Sequence, residues 1–153
     1  MMDDERKNAD NERIYKKWLS CGYTGEMRFD RFGNCVNEIN KENNVKEIVV
    51  FDIPRYHAVL EYMQFPNGKW ASGSSVMFPL YGWSHGVSIW STQYDTEEDA
   101  ILEELRKIES RIESKDRKKA ILGAVQECRN RYKKQSFEIA FNPLASFEQV
   151  ALF

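Results

Sequence analysis

Apolar and polar positions follow two different periods along this chain, and the change of period divides it. From Val45 to Phe78 the apolar residues fall two apart or in short runs bounded by turn formers, the pattern of half-buried strands. Val45–Ile53 contains Ile-Val-Val-Phe and stops at Pro54; Tyr56–Phe65 is rich in Val, Leu, Tyr and Phe; Lys69–Phe78 carries Trp70, Val76 and Met77. Pro66-Asn67-Gly68 predicts the hairpin turn between the last two, because Asn and Gly accept positive φ. Pro79–Gly86 reads as a loop and Val87–Gln93, with Ile89 and Trp90, as one more strand.

After Gln93 the period becomes 3.6. Thr96-Glu97-Glu98-Asp99 predicts a capped helix start with acids at the positive end of the dipole. Ile101, Leu105, Ile108 and Ile112 then form one apolar stripe. The stripe stops at Ser114–Arg117 and resumes in a new phase as Ile121, Val125, Cys128 and Tyr132. Two helices joined by a tight turn follow from this, with one long bent helix as the alternative. Upstream of the strands, residues 1–12 are polar and predict a frayed start. Asn11–Ser20 predicts a short helix with Ile14, Trp18 and Leu19 inward and Gly22 as its stop. Met27–Val36 predicts a small hairpin turning near Gly33-Asn34, and Asn37–Asn44 a polar loop.

The expected fold is therefore α+β: an antiparallel sheet of three to five strands with an N-terminal helix and a C-terminal helical pair. Residues 1–140 are expected to form one α+β domain and 141–153 a tail. The length of 153 residues suits one such domain, and 42% hydrophobic against 30% charged residues is a globular composition. No apolar run reaches the ~18 residues of a membrane span, and the polar start lacks a signal-peptide core. A cytoplasmic protein with no membrane partner is the expectation. Cys21, Cys35 and Cys128 are odd in number and widely spaced, so they read as reduced thiols.

The net charge of −2 conceals a division. Residues 106–134 hold eleven Lys and Arg against four acids, a local +7, so the remaining residues carry −9. Lys115, Lys118, Lys119, Arg129, Arg131, Lys133 and Lys134 are the candidates for contacts along a nucleic-acid phosphate backbone. Tyr81 and Trp83 are candidates for stacking on bases. The alternative is a solvated face paired with the acidic remainder.

Catalytic signatures are sparse. The phosphate-binding patterns G-x-x-x-x-G-K-[ST] and G-x-G-x-x-G are missing, as is the G-x-S-x-G nucleophile elbow. Gly73-Ser74-Ser75 lies inside a strand and reads as small-residue packing. His57, His85, Cys21 and Cys35 lack the short spacings of a zinc site, so no metal or cofactor is expected. Asp30, Asp52 and Glu61 would have to converge for a metal-dependent nuclease, the least favoured reading.

The chain closes on Gln149-Val150-Ala151-Leu152-Phe153. This ending resembles the bacterial sliding-clamp-binding motif, a Gln followed by two variable residues and Leu-Phe. Gln149, Leu152 and Phe153 match its anchors; Val150 and Ala151 stand where the family usually has Leu and then Ser or Asp. The resemblance implies docking on the DNA polymerase sliding clamp, with two adjacent apolar side chains in a pocket and the glutamine amide hydrogen-bonded beside it. The alternative packs Leu144, Phe147, Leu152 and Phe153 back onto the domain.

Pro66-Asn-Gly-Lys-Trp70, Phe78-Pro79 and Thr96-Glu-Glu-Asp-Ala100 make the body similar to small antitoxins of the HicB type. Those neutralise an RNA-cutting partner with a curved three-stranded sheet and a helix; the long stretch Leu80–Gly86 departs from them. Tyr56–Ala100 is also similar to short proteins of phages and mobile elements. The order of elements resembles double-stranded RNA-binding domains, but those carry a lysine-rich clamp where Thr96-Glu97-Glu98-Asp99 stands here. The leading expectation is a non-enzymatic accessory or inhibitory protein of bacterial or phage DNA metabolism. It would bind the clamp through its tail, with DNA contacts from the basic helices. An antitoxin-like inhibitor acting by protein–protein binding is the alternative.

Overall fold

A computed structural model describes residues 2–133, with side chains from Asp4 onward. The elements in chain order are α1 (Met2–Ser20), β1 (Lys46–Ile53), β2 (Tyr56–Gln64), β3 (Trp70–Met77), β4 (Gly82–His85) and α2 (Glu97–Ser110). A 3-10 turn at Ser114–Asp116 follows, and residues 119–133 form the described part of a third helix, α3. The four strands pair antiparallel in the order β1-β2-β3-β4, which is the α+β arrangement the periodicities predict. The tail at 141–153 lies outside the described residues.

The two C-terminal apolar stripes are buried as one seam. Ile101, Leu105 and Ile108 of α2 and Ile121 and Val125 of α3 join Ala58 and Leu60 of β2 and Val76 of β3 in a single core. Thr96 caps α2 by accepting the Asp99 N–H at 3.0 Å, as its sequence pattern requires. A second, smaller core lies on the other sheet face, where Trp18 of α1 and Cys21 just beyond it meet Met63, Phe65 and Ala71. It covers only one end of that face, so Val49 and Met77 remain exposed at the other.

Three sequence expectations are corrected. Helix α1 begins at Met2, so the stretch expected to fray is helical well before Asn11. Tertiary ties explain this: Lys7 donates to the Phe32 carbonyl, and Asn11 bridges Gly33 O and Cys35 N at 2.9 and 2.8 Å. The helix is thereby bound to the 27–36 hairpin, which closes through one bridge, Phe29 to Cys35, and turns at Asp30–Gly33. Pro79–Gly86 is not all loop, because Gly82–His85 adds a fourth strand to the sheet.

Val87–Gln93, conversely, is not a strand. The chain leaves the sheet over Gly73, where an added Cβ would sit 2.4 Å from the His85 carbonyl oxygen and 2.8 Å from the Gly86 carbonyl carbon. Having crossed to the other face, it donates the Val87 N–H to Glu61 Oε1 at 2.9 Å and buries Val87 and Ile89 in the second core. Their alternation reflects burial without a strand partner. Gly22 does end α1: it has φ +98° and touches the Asn67 backbone too closely for any side chain.

The Gly73 crossing carries a stability prediction. Gly73→Ala forces backbone against backbone and should cost about 2–4 kcal/mol in denaturant melts. A loss below about 1 kcal/mol would show that the crossing relaxes freely. Alkaline stability is a second expectation. Burial, then the Glu97 carboxylate and Tyr132, push Tyr62 up to about 12 from an ordinary 10.0. The unfolded chain therefore releases this proton first. Stability is fully present below pH 10 and declines between pH 10 and 12. Tyr62→Phe should reduce that decline, and an unaltered pH profile contradicts the assignment.

Candidate nucleic-acid interface

In a meander of this order the β1–β2 and β3–β4 turns lie at the same end of the sheet. Trp70 pairs with Tyr94 at the opposite end, so α2 starts there and its length brings Arg111 back to the first end. Three connections therefore meet: Pro54-Arg55, Phe78–Tyr81 and the α2–α3 elbow at 111–118.

An aromatic cluster packs beneath them. Phe78 is buried and stacks on Tyr81 at 4.7 Å between ring centroids, with Tyr56 at 5.7 Å and Phe51 and Trp83 each at 6.0 Å. Tyr81, Trp83 and His85 alternate on one side of the β4 segment, where Val76 pairs with Trp83 and Ser74 with His85. Cations from the elbow lie over the outer rings: Arg111 is 4.2 Å from the Trp83 centroid, Lys118 4.8 Å from Tyr56 and Lys115 5.9 Å from Tyr81. Such contacts hold long side chains in place while leaving their charge in water.

Asp116 anchors the elbow. It is buried, accepts the Tyr56 hydroxyl proton at 3.1 Å through Oδ1, and has no partner for Oδ2 among the described residues. Tyr81 accepts the Glu113 N–H at 2.9 Å. Burial is the largest influence on Tyr81 and pushes its hydroxyl above the ordinary tyrosine value, against the effect of that N–H. With Asp116 turned inward, Lys115 and Lys118 face outward.

Arg55 completes the group. Its φ of 73° lies in the left-handed region, an unusual place for a side chain with a Cβ, and it occupies the exposed tip of the two-residue β1–β2 turn. Among the described residues no carboxylate comes within 4.0 Å of the charged atoms of Arg55, Arg111 or Lys118; Lys115 has only an exposed pairing with Glu113 at 3.4 Å. Leu80, 81% exposed, lies on the β3–β4 turn at this same end.

The sequence candidates divide. Lys115, Lys118 and the neighbouring exposed Lys119 belong to this end. Arg129 instead donates to Glu109 of α2 and, at 2.6 Å, to Gln126, with its side chain only 18% exposed, so it clips α3 to α2. Arg131 and Lys133 are exposed but roughly 18–21 Å further along α3 from Lys119. Lys134, Gln149, Leu152 and Phe153 lie outside the described residues. Arg55 and Arg111 join this end beyond the candidates that the sequence singles out. A Pro-Arg pair between two strands and the alternation Tyr81-x-Trp83-x-His85 are the signals that point to them.

Carboxylate chemistry finds less support. Asp52 pairs with His57 at 3.2 Å, while Glu61, about 13 Å further along β2, holds Lys41 and the Val87 N–H. Asp30 caps its own turn through the Phe32 and Asn34 N–H groups. Their separate duties do not assemble the nuclease site that Asp30, Asp52 and Glu61 would require. Glu104 is a buried carboxylate on α2 whose Oε1 accepts from both Ser74 Oγ and His85 Nε2 at 2.9 Å. Ser74 thus donates its O–H hydrogen bond to the carboxylate and not to the imidazole, and it is itself buried, so the trio ties β3 and β4 to α2 without presenting a nucleophile. Among the described residues no three His, Cys, Asp or Glu side chains gather as metal ligands. No helix there is long and apolar enough to cross a membrane. Burial raises the Cys21 and Cys128 thiols, keeping them protonated.

The clip and the exposed cations should respond differently to truncation. Arg129→Ala is expected to cost about 1–2 kcal/mol in a thermal or denaturant melt, and Lys118→Ala less than about 0.5. Equal losses would contradict the division between a structural arginine and exposed cations. Comparison of the chain with family models, with curated proteins and with solved structures finds no match.

Proposed function

We propose that this chain is a non-enzymatic accessory or inhibitory protein of bacterial or phage DNA metabolism. Its basic sheet end contacts DNA phosphates, and its tail docks on the polymerase sliding clamp. The observation that carries the DNA contact is the convergence of Arg55, Arg111, Lys115 and Lys118 on one exposed end, where three carry no carboxylate partner among the described residues. Cations arranged around phosphates act by releasing counterions, so binding of this kind weakens steeply with salt. A net charge of −2 does not oppose it, because at physiological salt each group senses charge only within about 8 Å.

The clamp contact rests on Gln149, Leu152 and Phe153 and their match to the motif's anchors.

Two titrations test the two halves. A labelled DNA duplex titrated with the full chain at several salt concentrations should show affinity falling as salt rises. Arg111→Ala/Lys115→Ala/Lys118→Ala should flatten the slope of log affinity on log salt by about 2–3. No binding at low salt, or the same slope in the variant, contradicts the DNA half. A sliding clamp titrated with the full chain should bind, and Leu152→Ala/Phe153→Ala should weaken binding by about ten-fold or more. Equal binding by both proteins, or none by either, contradicts the clamp half.

A further inference from the structure

Leu80 is the most exposed of the large apolar side chains among the described residues, at 81%. Such exposure usually goes with a mobile loop, but this turn is held. Phe78 donates its N–H to the Tyr81 carbonyl at 2.8 Å, the two rings stack at 4.7 Å, and Phe78 is itself buried. Pro79 fixes its own φ and restrains Phe78 before it. Tyr81 is held in turn by the Glu113 N–H. A rigid turn therefore presents one leucine at the end of the sheet, with Arg55 on the parallel turn and Arg111, Lys115 and Lys118 on the elbow.

An exposed apolar side chain at the same sheet end as these cations complements a surface that is anionic outside and apolar within. A duplex has this profile: phosphates along its edges and a base stack beneath them. Proteins that bend DNA insert Leu, Met, Ile or Phe between base steps while cations hold the flanking phosphates. We infer that Leu80 is a wedge that enters the base stack of a bent duplex while these cations grip its phosphates. The inference rests on the reading of this end as a DNA contact. An anionic membrane is the less favoured partner, because Leu80, even with the exposed Met77 and Ile53 at the same sheet end, supplies less apolar area than a stable anchor needs.

The test uses a short duplex carrying a donor and an acceptor dye at its two ends, titrated with the full chain at low salt. The wild-type chain should raise the energy transfer as the ends approach. Leu80→Ser should bind roughly ten-fold more weakly, a few-fold either way, with an unchanged salt slope and without the rise. Leu80→Met should restore the rise. The exposure of Leu80 means that both variants should melt as the wild type does, so loss of fold is separable from loss of the wedge. Binding without any rise, or a full rise with Leu80→Ser, overturns the wedge and leaves the DNA contact standing. No binding by the wild-type chain overturns both. Binding to phosphatidylserine vesicles but not to the duplex overturns both in favour of a membrane partner.

Discussion

Ile101, Leu105 and Ile108 lie fully buried against the sheet face that carries Ala58 and Leu60, and the place of the basic sheet end depends on that seam. Burying an aliphatic side chain of this size stabilises by about 1.5–3 kcal/mol, so the three together outweigh any exposed pairing on the surface. Because α2 starts near Trp70 and Tyr94, the seam also decides where α2 stops. Its end delivers Arg111 to Trp83 and the following turn to Tyr56 and Tyr81. Polar ties then fix what the apolar seam leaves adjustable. Glu104 holds β3 through Ser74 and β4 through His85, Asp116 holds the elbow through Tyr56, and Arg129 closes α3 onto α2.

Charge at the surface follows from this internal order. Of the eleven Lys and Arg between 106 and 134, several are spent on neighbouring acids: Arg106 on Glu103, Arg117 and Arg129 on Glu109. What remains at the sheet end is a smaller group seated over aromatic rings, of which Lys115 alone also has a carboxylate beside it, the exposed Glu113. A cation over a ring keeps its full charge for an incoming anion, whereas one in an ion pair must first lose its partner. The rings thus preorganise the cations without neutralising them, and Arg55, set in a left-handed turn, extends the group by one charge that lies far away in sequence.

Much of this organisation is legible in the sequence, and the parts that are not have physical reasons. The Asn67-Gly68 turn, the Thr96 cap and both helical stripes are local signals, set within a few residues, and each names its element. The N-terminal helix is longer than its local signals suggest, because its order comes from ties between Lys7 or Asn11 and a hairpin over twenty residues away. Strand β4 is not legible locally, because four residues between Pro79 and Gly86 resemble a loop until β3 offers them a pairing edge. Val87–Gln93 suggested a strand because its alternation is real, although it arises from a chain crossing over Gly73 into a second core. The candidate site suffered from the same limit. A run of basic residues shows where charge is abundant, but only the fold separates Arg129, which is consumed, from Lys118, which is presented.

Amide chemical-shift mapping of the isotope-labelled full chain, titrated with a short DNA duplex, tests the location of the contact most directly. Shifts should concentrate at residues 53–56, 78–83 and 111–119, three stretches remote in sequence and joined only at this end of the sheet. Shifts concentrated instead at Arg131 and Lys133, or at the α1 and hairpin end, with those three stretches silent, would contradict it.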